Sequence, residues 1–336
     1  MAESKHTRGV TLSQHIAHQQ KAARATGEFS AILSQIALAA KIIARALSQG
    51  ALFNRQGYAG TNVLGSDADR VDVFAHEAFI NSFKRSPHAS MLVTEDMEDS
   101  LHKHTFGQNG RYAVFVDALN GSLNLDVNGV LGSIFSVYRI DGEKSGENDL
   151  LRKGTEQVGA GYIVYGPSTQ MVYSSGDGVH LYTLDVSIGE FLITQENLRF
   201  PERGLTYACN EAHFQDWPEH VRKYIDHLRR RDPRSSKYYS SRFAGALVFN
   251  FHRTLLEGGV CLYPETVNPT ETKAKRLMFE CNPLAFIADQ AGGQASSGTE
   301  KILKMQPATL HERTTLVIGS PYEVALFEDF ASGRRA

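Results

Sequence analysis

A chain of 336 residues, 42% hydrophobic and 21% charged, has an ordinary globular composition and is long enough for one large or two medium domains. Its 35 Lys and Arg against 37 Asp and Glu leave a net charge of −2, which argues against a nucleic-acid or acidic-membrane partner. The three cysteines, Cys209, Cys261 and Cys281, are scattered, odd in number and without metal-ligand spacing, so they read as reduced thiols of a cytoplasmic protein. No apolar run reaches the roughly 18 residues of a membrane span. Residues 1–20 read as a polar, His- and Gln-rich arm that frays, with no signal-peptide core.

The first strong periodicity covers residues 29–49, where Ile32, Ile36, Ala39, Ile43 and Leu47 recur at helical steps before Gly50. Thr26-Gly27-Glu28 precedes this helix; the simplest reading is an N-cap turn, the sharper one an anion site at a helix N-terminus. A second amphipathic helix is predicted over 70–84, with Asp72 in its first turn. Met91-Leu92-Val93 reads as a strand ending in Thr94-Glu95-Asp96, and Tyr112–Val116 as a strand ending in Asp117. After it come an Asn120-Gly121 turn and the hydroxyl of Ser122. Two strands delivering acids side by side suit a divalent cation, and backbone N–H groups of a Gly-Ser turn suit a phosphate.

Strand signals then dominate up to residue 195, with antiparallel hairpins at spacings such as Gly176-Asp177-Gly178, and residues 141–155 read as a polar loop. Beyond about 200, strands and helices alternate: helices over Ala244–Glu257, Phe279–Gln290 and Tyr322–Phe330, strands over Val260–Tyr263 and Thr315–Ile318. Glu280 is a fourth acid at the edge of an apolar run. Arg242, Arg276, Lys273 and Lys275 are candidates for a phosphate grip, although each lysine alone reads more simply as a solvated loop charge. His252, among Phe249 and Phe251, reads as a buried, satisfied histidine.

These segments, in order, resemble the class I fructose-1,6-bisphosphatase family of the inositol-phosphatase-like superfamily. The resemblance runs from about Thr11 to Phe330. It is carried by Ala25-Thr26-Gly27-Glu28-Phe29, Val93-Thr94-Glu95-Asp96, Asp117 to Ser122, Gly159-Ala160-Gly161-Tyr162, Asp185 to Glu190, Phe251-His252-Arg253, Phe279-Glu280-Cys281-Asn282-Pro283, Gly292-Gly293 and Gly319-Ser320-Pro321. It implies a layered α-β-α-β-α sugar-phosphatase fold with mixed sheets in two halves, 21–200 and 201–336. It implies hydrolysis of fructose 1,6-bisphosphate to fructose 6-phosphate with two or three magnesium (or manganese) ions, in a cytoplasmic homodimer or homotetramer.

Carried over by position, Glu95, Asp117, the Leu119 carbonyl, Asn120 and Glu280 would hold metal, and Asp72, Glu95 and Asp96 would serve water activation. Gly121 and Ser122 would cradle the 1-phosphate. Asn210, His213, Arg242, Phe243, Tyr263, Lys275 and Arg276 would line the sugar and 6-phosphate pocket. Thr26, Gly27, Glu28, Ser30, Arg111, Tyr112 and Arg139 resemble the family's AMP-inhibition site.

The departures from the family pattern cluster at the chemistry. Asn120 stands for a carboxylate, Leu123 for a serine, Ser66 for an acid, His213 and Phe243 for two tyrosines, Ala274 for a substrate-binding lysine, Asn250 for an aspartate and Ala246 for a serine. The leading expectation is a magnesium-dependent sugar-phosphate phosphatase. The alternatives are an impaired paralogue that binds sugar phosphate or AMP, and an enzyme redirected to another phosphorylated sugar, with fewer metal ions than the family holds.

Overall fold

The computed structural model describes residues 9–23, 27–50, 67–84, 86–95, 104–105, 110–140, 149–232, 234–268 and 274–335. Among the described residues, three helices precede the first strand: α1 (Leu12–Ala23), α2 (Glu28–Leu47) and α3 (Asp67–Phe83). Eight strands follow: β1 (Ala89–Thr94), β2 (His104–Thr105), β3 (Tyr112–Asn120), β4 (Leu131–Arg139), β5 (Gln157–Tyr165), β6 (Thr169–Ser174), β7 (His180–Asp185) and β8 (Glu190–Gln195). They form one sheet in the order β2-β1-β3-β4-β5-β6-β7-β8, antiparallel except for the parallel pair β1/β3.

The second half builds a five-stranded sheet from β9 (Thr206–Ala208), β10 (Ser240–Ser241), β11 (Val260–Tyr263), β13 (Gln294–Ser296) and β15 (Leu316–Gly319). A short ribbon pairs β12 (Lys275–Arg276) with β14 (Arg313–Thr314). The helices of this half are α4 (Glu219–Leu228), α5 (Leu247–Glu257), α6 (Asn282–Gln290) and α7 (Pro321–Ala331).

Alternate residues of each strand enter different cores, which explains the long apolar runs. On β4, Phe135 and Val137 pack with α2 and α3, while Ile134 faces α5 and α6. On β11, Cys261 and Tyr263 face α5 and α6, while Val260 and Leu262 face α4 and α7. The result is a five-layer α-β-α-β-α stack, as the resemblance implies.

The structure refines three expectations. First, the second half of the predicted N-terminal arm is helix α1. Thr11 and Gln14 close a reciprocal capping box (Thr11 N to Gln14 Oε1 3.0 Å, Gln14 N to Thr11 Oγ1 3.2 Å), and Leu12 and Ile16 are buried in the first core. Second, α2 is long and apolar enough, by length and composition, to cross a membrane, although Ser34, Gln35, Lys41 and Arg45 interrupt it before any apolar run reaches 18 residues. Its apolar face, Ile32, Leu33, Ile36, Ala39, Ala40 and Ile43, is nevertheless committed to the core.

Third, the strand carrying Asp117 does not stop there. Ala118, Leu119 and Asn120 are also buried, and Asn120 still pairs with Gly132. Two residues, Ala118 and Leu119, face the single Ser133, so β3 carries a bulge at the acid.

Candidate metal and phosphate centre

The acids converge because their strands do. Thr94 pairs with Val116 across the parallel ladder, and the Glu95 N–H donates to the Val116 carbonyl at 3.0 Å, which sets Glu95 beside Asp117. The bulge turns the backbone after Asp117, and the Ser133 hydroxyl, itself 2.9 Å from the Tyr165 hydroxyl, donates to the displaced Ala118 carbonyl at 2.7 Å.

Glu280 arrives from the other half on a π-turn, Leu277–Cys281, that runs into α6. Pro283 has no N–H to give the Phe279 carbonyl, and the wider turn closes instead from the Asn282 N–H to the Leu277 carbonyl. The predicted helix from Phe279 therefore begins as this wider turn. Carboxylate oxygens of Glu95, Asp117 and Glu280 lie within 4.8 Å of one another, with Asp117 and Glu280 buried. Hard oxygen donors this close and this dry fit a divalent cation.

Two side chains already sit among these acids. The Asn120 amide nitrogen donates to Asp117 Oδ2 at 2.9 Å and lies 3.3 Å from Glu280 Oε1. Its Oδ1 accepts the Val248 N–H at 3.1 Å. A backbone N–H can only donate, so this bond fixes the amide orientation and turns hydrogens, not a lone pair, toward the acids. The Asn120 oxygen expected at the metal is thus turned toward Val248 in this arrangement.

The Lys275 ammonium is the second, 2.9 Å from Glu280 Oε1. Burial works against its charge, but Glu280, Asp117 and Glu95 outweigh that and hold its pKa above the usual lysine value. It points into the centre, against the expectation of a solvated loop lysine.

Arg276 also turns inward. Its Nε is 3.2 Å from Glu95 Oε1, its Nη1 bonds the Glu95 carbonyl, and its backbone N–H donates to Glu280 Oε2 at 2.8 Å. His311 stands beside it, Nδ1 3.4 Å from Nη1, with its ring stacked on Phe279. Nothing in the sequence pattern singled out His311: it comes from an irregular loop with no periodicity.

The expected turn at Gly121 and Ser122 is present. Gly121 has φ of +82° and caps the 3-10 turn Ser122–Asn124, and a Cβ there would lie 2.5 Å from the Ala246 Cβ. Asn124 binds the Val130 carbonyl at 3.0 Å and ties the turn to the other half through the Ala244 carbonyl at 2.9 Å. Helix α3, with Asp72 near its start, packs against β3 and this turn. Asp96 and Ser66 lie outside the described residues.

Among the residues expected to line a sugar pocket, Tyr263 receives the Asn250 amide at 2.7 Å and stands 6.3 Å from the Phe243 ring. Asn210 caps the 3-10 turn at Glu211, and His213 lies 3.8 Å from Asp216. Arg242 is exposed, its Nη1 3.3 Å from the Ser241 carbonyl. His252 is buried as read, 3.0 Å from the Tyr162 hydroxyl, with burial lowering its pKa to about 4.

At the other end of the sheet, Gly27 caps α2 with φ of +85°, and Phe29 rests against Gly159. Tyr112 and Arg139 pair across β3 and β4, and the Arg111 N–H bonds the His88 carbonyl. Thr26 lies outside the described residues.

Residues 10–196 match the family description "Fructose-1-6-bisphosphatase, N-terminal domain", and residues 200–332 match the corresponding C-terminal domain. The chain belongs to the fructose-1,6-bisphosphatase family. It is 41% identical over 331 residues to a class 1 fructose-1,6-bisphosphatase of Chlorobium phaeobacteroides, covering 97% of this chain and 99% of that one. It is 44% identical to the one from Trichodesmium erythraeum over 325 residues, 96% of this chain and 90% of that one. The crystal structure of Leishmania major fructose-1,6-bisphosphatase in holo form superposes with a TM-score of 0.84 at 33% identity, covering 95% and 98% of the two chains.

Proposed function

We propose that this protein is a sugar-phosphate phosphatase that converts fructose 1,6-bisphosphate and water to fructose 6-phosphate and phosphate. The family it belongs to is metal-dependent, and the observation that carries the reading is the buried convergence of Glu95, Asp117 and Glu280 beside the Gly121-Ser122 turn. Those three carboxylates, with the Leu119 carbonyl, would hold magnesium or manganese. The bound ion would act as a Lewis acid on the phosphate and lower the pKa of a water.

The chain's own groups do the rest. Gly121 and Ser122 orient the 1-phosphate, while Asp72 and Asp96 take the proton of the attacking water. Asn210, His213, Arg242, Phe243, Tyr263 and Arg276 receive the sugar and its 6-phosphate. Gly27, Glu28 and Ser30 at the start of α2, with Thr26, Arg111, Tyr112 and Arg139, bind AMP. The working form is a cytoplasmic homo-oligomer, a dimer or tetramer.

A second reading is a protein that retains binding with little turnover, and the placement of Asn120 and Lys275 among the acids favours it. Phosphate release from fructose 1,6-bisphosphate and a panel of other sugar phosphates, with magnesium or manganese, separates the two. Turnover of fructose 1,6-bisphosphate by the wild type supports the first reading; turnover of another sugar phosphate alone makes the enzyme a redirected one. No turnover by the wild type or by Asn120→Asp overturns the phosphatase reading. Calorimetry with AMP checks the effector site, and absence of heat removes it.

A further inference from the structure

The carboxylates of the centre already face side-chain cations. Among the described residues, three carboxylates, Glu95, Asp117 and Glu280, face two side-chain cations, Lys275 and Arg276, so these five groups leave one unit of negative charge. We propose that the Lys275 ammonium is a tethered cation that takes one divalent-metal position in this centre, so that Lys275 and a metal ion compete for Glu280. This rests on reading Glu95, Asp117 and Glu280 as metal ligands.

The placement is built rather than accidental. Lys275 opens β12, where it pairs with Thr314, and the preceding Ala274 is buried with its carbonyl held by Arg313 Nη1 at 2.8 Å. The residue on the other side, Arg276, is tied to Glu95 by its side chain and to Glu280 by its N–H. With both neighbours anchored, the Lys275 side chain reaches the Tyr263 ring. Its ammonium lies 5.0 Å from that ring centroid and 2.9 Å from Glu280 Oε1, with the side chain 21% exposed.

Asn120 completes the device. Its amide hydrogens face the same Oε1 of Glu280 and the Oδ2 of Asp117. Both of these carboxylates therefore have donors without any ion. The Glu280 Oε1 that a divalent cation would need already accepts from a full positive charge. A cation entering there meets the ammonium at close range in a poorly hydrated site, where like charges repel strongly.

The test is an Mn2+ titration followed by electron paramagnetic resonance, on the full chain as wild type, Lys275→Gln and Lys275→Arg. The expected result is that Lys275→Gln binds Mn2+ at least tenfold more tightly or takes up one more ion per chain, while Lys275→Arg stays close to wild type. In EDTA, Lys275→Gln melts below wild type because Glu280 has lost its ion pair, and Mn2+ raises its melting temperature more than it raises that of the wild type.

Equal Mn2+ affinity and stoichiometry in wild type and Lys275→Gln overturns the proposal, as does an absence of Mn2+ binding in both. Phosphate release is read separately. A wild type without turnover whose Lys275→Gln variant still gains Mn2+ affinity counts against the phosphatase reading and leaves Lys275 as the competing cation.

Discussion

Replacing Asn120 by Asp tests the charge balance of the centre most directly. The amide nitrogen lies 2.9 Å from Asp117 Oδ2 and 3.3 Å from Glu280 Oε1, so a carboxylate there exchanges two attractive contacts for two repulsive ones. Unit charges at such distances repel by about 5 kcal/mol per pair at an effective dielectric near 20. The new carboxyl escapes most of this by taking a proton. Holding an aspartic acid neutral at pH 7 costs roughly 4 kcal/mol from its usual pKa near 3.9, which sets the ceiling. Lys275 nearby lowers it further, while the Val248 N–H still finds an acceptor. The variant should therefore lose about 2–4 kcal/mol in EDTA, a fall of about 1 M in the urea midpoint. Saturating Mn2+ should return most of it, because bound metal stabilises the folded state by mass action. An unchanged midpoint in EDTA, or no recovery with Mn2+, would refute the reasoning.

Three further outcomes are expected. Glu323 is wholly buried at the start of α7, and burial, only partly offset by Tyr239 and Arg203, raises its pKa from 4.5 to about 7. Its contribution is complete below about pH 4.5 and is lost as pH rises through 7, so Glu323→Gln should gain up to roughly 3 kcal/mol over wild type at pH 8 and nothing at pH 4.5. Melts at the two pH values check this, and an equal gain at both is the contrary result. Helix α1 is held by His15 on the Tyr182 hydroxyl and by Gln19, 3.1 Å from His180 and 2.9 Å from the Tyr173 hydroxyl. Burial first, and for His15 also the charge of His180, lowers both histidine pKa values. Docking is then fully stable above pH 6.5 and weakens as pH falls, so amide protection of α1 should drop between pH 7.5 and 5; constant protection would contradict it. Gly121→Ala must adopt a positive φ and push a methyl against Ala246, which should cost about 1–3 kcal/mol in urea unfolding and abolish phosphate release if the turn cradles phosphate.

Much of the fold was legible because its helices and strands follow simple periodicities. Helix α2, strand β11 and the alternation after β11 appear close to where the apolar spacing places them. The pairing of Glu95 with Asp117 was legible too, since both acids follow buried strands. Reading stopped where backbone hydrogen bonding overrides pattern. The bulge at Ala118 and Leu119 depends on a single opposing residue, Ser133, which no local spacing reveals. The capping box at Thr11 and Gln14 was written in the sequence, but the polar composition of the arm hid it.

At the centre, residue types could be read but their directions could not. An asparagine in place of an aspartate looks like a weaker ligand, because an amide has an oxygen to give. Only the position of the Val248 N–H decides that this oxygen faces away from the acids. A lysine on a polar loop looks solvated, and only the β12/β14 ribbon turns it inward.

The scaffold beneath the acids is held by apolar layers and backbone bonds that do not depend on charge. Val93 and Phe115 on the strands below Glu95 and Asp117, and Phe279 beside Glu280, share one buried cluster. The carboxylates are therefore presented in the same places whatever balances them. An amide at 120 and an ammonium at 275 can supply donors and positive charge there without disturbing β1, β3 or the π-turn. That separation lets the five-layer fold and its three acids persist whatever side chains balance the acids' charge.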